Sequence, residues 1–215
     1  IWCKVCTLVL ENVCDRHHDG VLVRSLALDP KHLRDQRALP LLHGGLGSDV
    51  LDGGAGADTL VGGRGEDVFI YDINDASYTG GIAGGLDNET DTVRVTGTGV
   101  TVDLTTGPNP SLDGIEVWDI TGTGDNVLVV GADQVRDMSD STNTLIVAGN
   151  AGDAARLAGS GWMTRGSEQV LGVTYNKYTN FASDGTPVTV LLALQVTKGD
   201  QIIGDGIQTS LTGGT

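Results

Sequence analysis

Three aspartates, Asp49, Asp58 and Asp67, recur at nine-residue intervals in a glycine-rich stretch of the chain. Carboxylate oxygens and backbone carbonyl oxygens are the ligands that calcium takes, six to eight of them at about 2.3–2.6 Å. If successive nine-residue units stack on one another, an aspartate of each turn comes to lie beside glycine carbonyls of the neighbouring turns. The spacing therefore predicts a cation site of the calcium type.

The repeated unit runs three times without a gap from residue 44 to residue 70. Each unit has glycine at positions one, two and four, aspartate at position six and a bulky apolar residue at position eight, which is Leu51, Leu60 or Phe69. The candidate metal-binding residues are the shared glycines and aspartates: Gly44, Gly45, Gly47, Asp49, Gly53, Gly54, Gly56, Asp58, Gly62, Gly63, Gly65 and Asp67.

The elements that would position these residues follow from the same pattern. Paired glycines allow positive φ and a close approach of backbone or ion, so the first six residues of each unit are predicted to form a turn. The last three residues are predicted to form a short strand whose middle side chain points inward. A three-residue strand cannot bury an apolar face alone, so the units must stack into a coil.

The three units resemble the glycine- and aspartate-rich nonapeptide of RTX proteins. The resemblance implies a parallel β-roll with Ca²⁺ between turns on the same edge, two repeats apart. It implies one complete site from Asp49 and Asp67, whereas Asp58 would need a partner outside the three repeats. A glycine-rich surface loop with scattered aspartates is the alternative, which the threefold register disfavours.

Composition and charge limit the class of function. The formal net charge is −15, which argues against nucleic acid as a partner and suits cation binding. No apolar run reaches the 18 or more residues of a membrane span, and the apolar stretch 7–10 is too short for a signal-peptide core. Thirty-three glycines and only 4% aromatic residues favour repetitive β structure with tight turns.

The distribution of cysteine and charge predicts four parts. Residues 1–42 hold all three cysteines and a net charge of +1, whereas residues 43–215 hold no cysteine and a net charge of −16. We expect an atypical N-terminal arm at 1–42, the RTX-like calcium-binding β-roll at 43–79, a β-rich domain at 80–196 and a polar tail at 197–215.

The N-terminal arm allows several interpretations. Cys3, Cys6, Cys14 and His17 are residue types that bind zinc, but the gap between the two pairs is not a standard finger spacing and no second set follows. The arm is otherwise a weakly structured segment, or one foreign to the domain that follows it.

The roll is predicted to end at Val68–Tyr71, and a glycine-rich loop is predicted from residue 78 to residue 88. Within this region, Gly84 and Gly85 followed by an acidic stretch look like a degenerate repeat whose nine-residue spacing is broken by an insertion. Its possible calcium donors are Asp87, Glu89 and Asp91.

From Thr92 onward, strand signals recur every 8–12 residues between glycine, asparagine, aspartate and proline. Asp133–Met138 is predicted to form a short helix or turn. The predicted strands are 93–95, 100–104, 115–120, 126–130, 144–147, 169–173, 175–179 and 188–196. The fold class is therefore all-β, a short parallel β-roll followed by a β-rich domain.

The region 86–196 is similar to the C-terminal region of large bacterial RTX adhesins. This resemblance implies a scaffold exported by a type I secretion apparatus, extracellular or on the bacterial cell surface, with any cell-surface or host ligand bound through the full-length protein. It makes the tail 197–215 a candidate export signal by position, with a tail of no role as the alternative.

No enzyme is expected in this chain. There is no histidine or cysteine after His43, so a Ser-His-Asp triad, a Cys-His pair and an HExxH motif are unavailable to the β-rich part. Carboxylate pairs are not excluded by residue type, but in so acidic a chain some pair will always be close.

The leading hypothesis is a calcium-binding structural and secretion module of a bacterial adhesin that folds on calcium binding after export. The alternative is the non-catalytic RTX tail of a secreted protease or lipase. A carbohydrate- or ice-binding module is the third option, and the exposed aromatic rows or threonine ladders that it would need are not evident.

Overall fold

Seventeen strands and one short helix make up the part of the chain that the computed structural model describes, residues 22–24, 41–53, 58–71, 81–85, 89–106, 111–139, 142–194 and 196–198. The strands are β1 Leu22–Arg24, β2 Leu41–Leu46, β3 Val50–Asp52, β4 Thr59–Arg64, β5 Val68–Tyr71, β6 Gly81–Ala83, β7 Thr92–Val95, β8 Thr101–Asp103, β9 Ser111–Asp113, β10 Val117–Asp119, β11 Val127–Gly131, β12 Thr144–Ala148, β13 Ala154–Ala158, β14 Met163–Val170, β15 Val173–Phe181, β16 Pro187–Ala193 and β17 Thr197–Lys198; helix α1 spans Ala132–Met138. The possible zinc ligands lie outside the described residues. Of the predicted tail 197–215, Thr197–Lys198 form strand β17, and residues 199–215 lie outside the described residues.

The strands form three sheets that coil around one core. Sheet A has the order β1-β3-β5-β7-β10-β12-β16-β15-β14, sheet B the order β2-β4-β6-β9 and sheet C the order β8-β11-β13-β17. Neighbours pair in parallel except for the pairs β14–β15 and β15–β16, which are antiparallel. The all-β fold class is confirmed.

The coil grows in circumference along the chain. Asp49 and Asp67 occupy equivalent positions 18 residues apart, which is two nonapeptides with one strand in sheet B and one in sheet A. The next equivalent positions are 24 and 25 residues apart. The described strands of the first of these coils are still one in sheet A and one in sheet B, β5 and β6, with more residues between them, whereas the second coil also contains β8 of sheet C. A two-sided roll therefore continues into a three-sided coil.

The core is built from side chains that stack in register from coil to coil. On the inner face of sheet A the stacked, buried residues are Leu51, Phe69, Val93, Trp118, Val147 and Leu192. Leu42, Leu60 and Ile82 form the corresponding column in sheet B. The apolar residue at position eight of each nonapeptide thus points inward, as the period of two along a strand requires.

Helix α1 takes the place of a sheet B strand in one coil. It follows β11 of sheet C and precedes β12 of sheet A, where the preceding coil has β9. It buries Val135 and Met138, and the carbonyl of Met138 accepts a hydrogen bond from the backbone N–H of Ile115, just after β9. The short helix predicted at 133–138 is confirmed.

The antiparallel hairpin β14–β15 ends sheet A. The strand predicted at 169–173 is wrong, because Leu171 and Gly172 form the two-residue turn of this hairpin, with φ of 49° and 82°. Two positive φ values match a type I′ turn, which normally carries asparagine or glycine. The apolar Leu171, fully exposed here, gives no turn signal in the sequence.

The parallel coil does not end at Tyr71. Strand β5 pairs in parallel with β7, and β6 at Gly81–Ala83 is a strand inside the predicted loop. The core also continues across residue 80 without a break, since Phe69 stacks on Val93. The boundaries expected at 42, 79 and 196 stay predictions.

Helix α1 is far shorter than a membrane span, and no helix of the described residues is long and apolar enough to cross a bilayer.

Replacing Trp118 tests the continuity of the core. Trp118 is fully buried and meets the ring of Tyr71 edge-on at 5.9 Å. Trp118→Ala is expected to cost about 3–5 kcal/mol of unfolding free energy through the cavity it leaves. Trp118→Phe is expected to cost less, because it keeps an aromatic contact and removes a buried indole N–H that has no hydrogen-bond partner. Denaturant unfolding measures both, and equal losses would contradict this account.

Candidate metal centre

Acidic side chains stack one above another at the turns that lead from sheet B into sheet A, here called the first edge. Asp49, Asp67, Asp91 and Glu116 each directly precede a strand of sheet A. The backbone N–H of Asp49 donates to Oδ1 of Asp67 at 2.8 Å, and that of Asp67 to Oδ1 of Asp91 at 2.8 Å. The N–H of Asp91 donates to Oε2 of Glu116 at 3.0 Å. These four residues form the carboxylate ladder.

Three carboxylates of the ladder are buried, so their negative charges have lost hydration that other groups must replace. Asp49, Asp67 and Asp91 are 3%, 0% and 2% exposed. A buried carboxylate is stable only when hydrogen bonds or positive charge offset its lost hydration. One oxygen of Asp67, of Asp91 and of Glu116 accepts the amide N–H of the preceding coil, and the second carboxylate oxygen of Asp67 and of Asp91 faces a glycine of its own turn.

Glycines face those second oxygens. A Cβ built on Gly44 would lie 2.7 Å from Oδ2 of Asp49 and 2.7 Å from the carbonyl oxygen of Gly62. A Cβ on Gly62 would clash with Oδ2 of Asp67 and lie 2.7 Å from the carbonyl oxygen of Gly84. A cradle is defined here as the space at such a glycine, between a carboxylate oxygen of its own turn and a carbonyl oxygen of the next coil.

A third cradle follows in the degenerate repeat. A Cβ on Gly84 would clash both with Oδ2 of Asp91 and with the carbonyl oxygen of Gly114. Asp91 therefore stands in the same relation to Gly84 as Asp67 does to Gly62, despite the insertion in its turn. Of the other donors considered for this turn, Glu89 is exposed and Asp87 lies outside the described residues.

The turns themselves require glycine for a second reason. Gly45 and Gly63 have φ of 108° and 118°, and a Cβ on Gly63 would overlap the carbonyl of Gly45 in the coil below. Two residues later, Gly47 and Gly65 also have positive φ, and a Cβ on Gly65 would overlap the backbone of Gly47. No other residue allows coils to approach so closely in this conformation.

Asp58 lies on the opposite edge, between β3 and β4. Its side chain is buried, and its Oδ2 has no hydrogen-bond partner and faces Gly53, whose Cβ would lie 2.7 Å away. Burial, together with the negative charge of Asp52, raises the pKa of Asp58 above its ordinary value. A nearby cation would oppose that shift by favouring the charged form.

The predicted site residues lie on two edges of the coil. The first edge brings together Asp49, Asp67, Gly44 and Gly62, and the same turns contain Gly45, Gly47, Gly63 and Gly65. The opposite edge holds Gly53 and Asp58, and the described residues do not include Gly54 and Gly56. Sequence reasoning missed Gly114 and Glu116, which belong to a turn without the repeat pattern. Their only signal is a glycine two residues before an acid that precedes a strand.

The donor set fits calcium. Oδ2 of Asp49 and of Asp67 is buried and accepts no hydrogen bond, although both residues have other interactions. The cradles place a backbone carbonyl oxygen, of Gly62 or Gly84, beside each of these carboxylate oxygens. Such a set of hard oxygens suits Ca²⁺ better than zinc.

Comparison with known families agrees with this chemistry. Residues 41–69 match the family model of the RTX calcium-binding nonapeptide repeat, in four copies. These residues are RTX repeats. RTX nonapeptide repeats bind Ca²⁺, form a structural rather than a catalytic module, and are typical of secreted bacterial proteins. Comparisons with curated proteins and with solved structures find no significant match.

The cradle predicts a sharp difference between two glycine substitutions. Gly62→Ala places a methyl group against Oδ2 of Asp67 and the carbonyl of Gly84, so we expect a marked loss of thermal stability. Gly81→Ala is the matched control in the next coil, because its Cβ would meet nothing closer than 3.5 Å, and Gly→Ala at a compatible position is stabilising by about 0.4–1 kcal/mol. Thermal melts in calcium compare them, and equal Tm values would refute the cradle.

Proposed function

We propose that this chain is a calcium-binding structural and secretion module of an extracellular bacterial adhesin, which folds on calcium binding after export. The observation that carries the proposal is the cradle, repeated on the first edge at Gly44 and Gly62, within the residues that are RTX repeats, and at Gly84 beyond them. A glycine without a side chain leaves space between a buried carboxylate oxygen and a carbonyl oxygen of the next coil, and this occurs three times in succession.

The residues that would hold calcium follow from the cradles. Oδ2 of Asp49 pairs with the carbonyl of Gly62, and Oδ2 of Asp67 pairs with the carbonyl of Gly84. Bound calcium would supply positive charge between such oxygens of successive coils. On the opposite edge, Asp58 would contribute to a further site.

The ladder extends the proposed row of sites beyond the family match. Asp91 accepts the N–H of Asp67 as Asp67 accepts that of Asp49, with the same 2.8 Å distance. Its cradle is completed by the carbonyl of Gly114. We therefore include Asp91, which lies outside residues 41–69, among the proposed calcium ligands.

Coupling of folding to calcium follows from charge and entropy. Residues 43–215 carry a net charge of −16, and the ladder aligns carboxylates in a poorly hydrated turn. A glycine-rich chain also loses much conformational entropy when it is ordered. Binding free energy then becomes folding free energy. With affinities of extracellular calcium modules, about 10⁻⁴–10⁻³ M, the calcium-binding turns would stay unfolded and exportable in a low-calcium cytosol and would fold outside.

The extent of the coil favours an adhesin over the alternative. Strands β7 to β17 continue the stack with an apolar core and no histidine or cysteine, which suits a scaffold. The alternative, a non-catalytic tail of a secreted protease or lipase, would place the active site elsewhere in a longer protein. Catalytic motifs in the adjoining coding sequence would favour the hydrolase.

Removal of calcium is the direct test. In millimolar calcium we expect higher β content and a higher Tm by circular dichroism than in a chelator, since a ligand at 100 times its Kd stabilises by about 2.7 kcal/mol. Native mass spectrometry should show bound Ca²⁺, and no bound ion at millimolar calcium would refute the proposal.

Substitution of single carboxylates locates the proposed calcium sites. Asp67→Asn and Asp58→Asn should each reduce the calcium-induced rise in Tm and raise the calcium concentration at the folding midpoint several-fold, because each removes one charged ligand. Glu66→Gln is the control, since it removes a charge from the same turn as Asp67 but at an exposed position. If Glu66→Gln and Asp67→Asn had the same effect, only general charge repulsion would be at work.

A further inference from the structure

A second ladder of side chains lies where sheet A passes into sheet C, here called the third edge. The backbone N–H of Val100 donates to Oδ1 of Asn126 at 2.8 Å, and the N–H of Asn126 donates to Oδ1 of Asp153 at 2.9 Å. The residues involved are 26 and 27 positions apart, one coil each. The arrangement repeats the carboxylate ladder of the first edge, with an amide N–H of one coil bound to a side-chain oxygen of the next.

The glycines of the cradle also recur on this edge. A Cβ on Gly122 would lie 3.1 Å from Nδ2 of Asn126 and 3.1 Å from the carbonyl oxygen of Gly97, which belongs to the neighbouring coil. A Cβ on Gly149 would lie 3.1 Å from Oδ2 of Asp153 and 2.5 Å from Cγ2 of Val196. The third edge thus shares with the first a glycine beside the second polar atom of a ladder side chain. At Gly122 a carbonyl of an adjacent coil is also close, whereas at Gly149 the other near atoms are apolar.

The second polar atoms differ between the two edges. On the third edge they are bonded within the turn: Nδ2 of Asn126 donates to the carbonyl of Ile120 at 3.1 Å, and Oδ2 of Asp153 accepts the backbone N–H of Asn150 at 2.7 Å. Both ladder side chains are 0% exposed. Hydrogen bonds of the chain itself therefore do here what positive charge is proposed to do on the first edge.

We propose that Asn126 and the backbone N–H of Asn150 take the place of a metal ion, so that the coils joined by the third edge hold their register without calcium. The comparison with the first edge rests on the proposed function. The chain is then divided into cation-dependent turns before Asp91 and self-sufficient turns after Ile120, and chelation removes the order of the first set alone.

A single-atom change at Asn126 tests whether its amide group replaces a cation. Asn126→Asp is isosteric and keeps Oδ1, but it replaces the donor Nδ2 by an oxygen that faces the carbonyl of Ile120. Two oxygens at that distance repel, and the local pattern becomes that of a first-edge cradle. A hard divalent cation would relieve the repulsion.

The first experiment is hydrogen exchange on the unmodified chain, with calcium alone as the added ligand and with a chelator. We expect amides of β10–β13 to keep their protection in chelator, whereas those of β3 and β5 lose it. Equal loss of protection in both groups would overturn the proposal. If calcium changed neither group and β10–β13 were protected throughout, the calcium function would fail while the metal-free edge would stand.

The second experiment is a pair of thermal melts with Asn126→Asp, in chelator and in millimolar calcium. In chelator, Tm should fall by roughly 5 °C or more relative to the unmodified chain, and calcium should restore much of the loss. A loss of the same size in calcium as in chelator, or no loss at all, would show that the amide does not stand in for a cation.

Asn180→Asp is the matched control. Asn180 is also buried and its Nδ2 also donates to a backbone carbonyl, that of Ser160, at 2.9 Å, but it belongs to neither ladder. We expect a loss of Tm that calcium does not restore. Should Asn126→Asp not fold, the exchange experiment on the unmodified chain still decides the proposal.

Discussion

Backbone amides at the turns of this coil are held by side-chain oxygens of the following coil. Within a parallel sheet, strands bond to one another along their length, but the turns between sheets have no such ladder of their own. The bonds from Asp49 to Asp67 and from Asn126 to Asp153 supply it. They fix the register at the edges, and the register is what stacks Phe69 on Val93 and Trp118 on Val147 in the core.

A buried side chain that accepts such an amide loses hydration at its second polar atom. This loss is offset in one of two ways in the coil. On the first edge, the second oxygen of the aspartate faces a glycine and a carbonyl oxygen, a site that suits a cation. On the third edge, the second atom is bonded within its own turn: Nδ2 of Asn126 donates to a carbonyl, and Oδ2 of Asp153 accepts a backbone N–H. The same ladder geometry is thus compatible with both dependence on an ion and independence from it.

Sequence patterns specified the repeat but not its continuation. The nonapeptide spacing placed Asp49 and Asp67 on one edge because the 18-residue coil contains two identical units. The nine-residue spacing ends after Phe69, because the later coils are longer. Asp91 could still be considered as a donor, since paired glycines precede it, whereas Glu116 follows no repeat pattern and was missed. The hairpin turn was missed because Leu171 has a strand-forming side chain, yet occupies a conformation that side chains avoid.

The reversal of strand direction at β14–β15 has a consequence for self-assembly. A parallel coil presents at its end the same pattern of N–H and C=O groups that it uses internally, so another copy could continue it and polymers could grow. Sheet A instead ends in an antiparallel strand with a bulge at Gly166, where the register with β15 shifts between Thr164 and Ser167. A parallel strand of another coil cannot continue the pairing pattern of sheet A at β14, so the hairpin protects this edge of sheet A against extension by another copy.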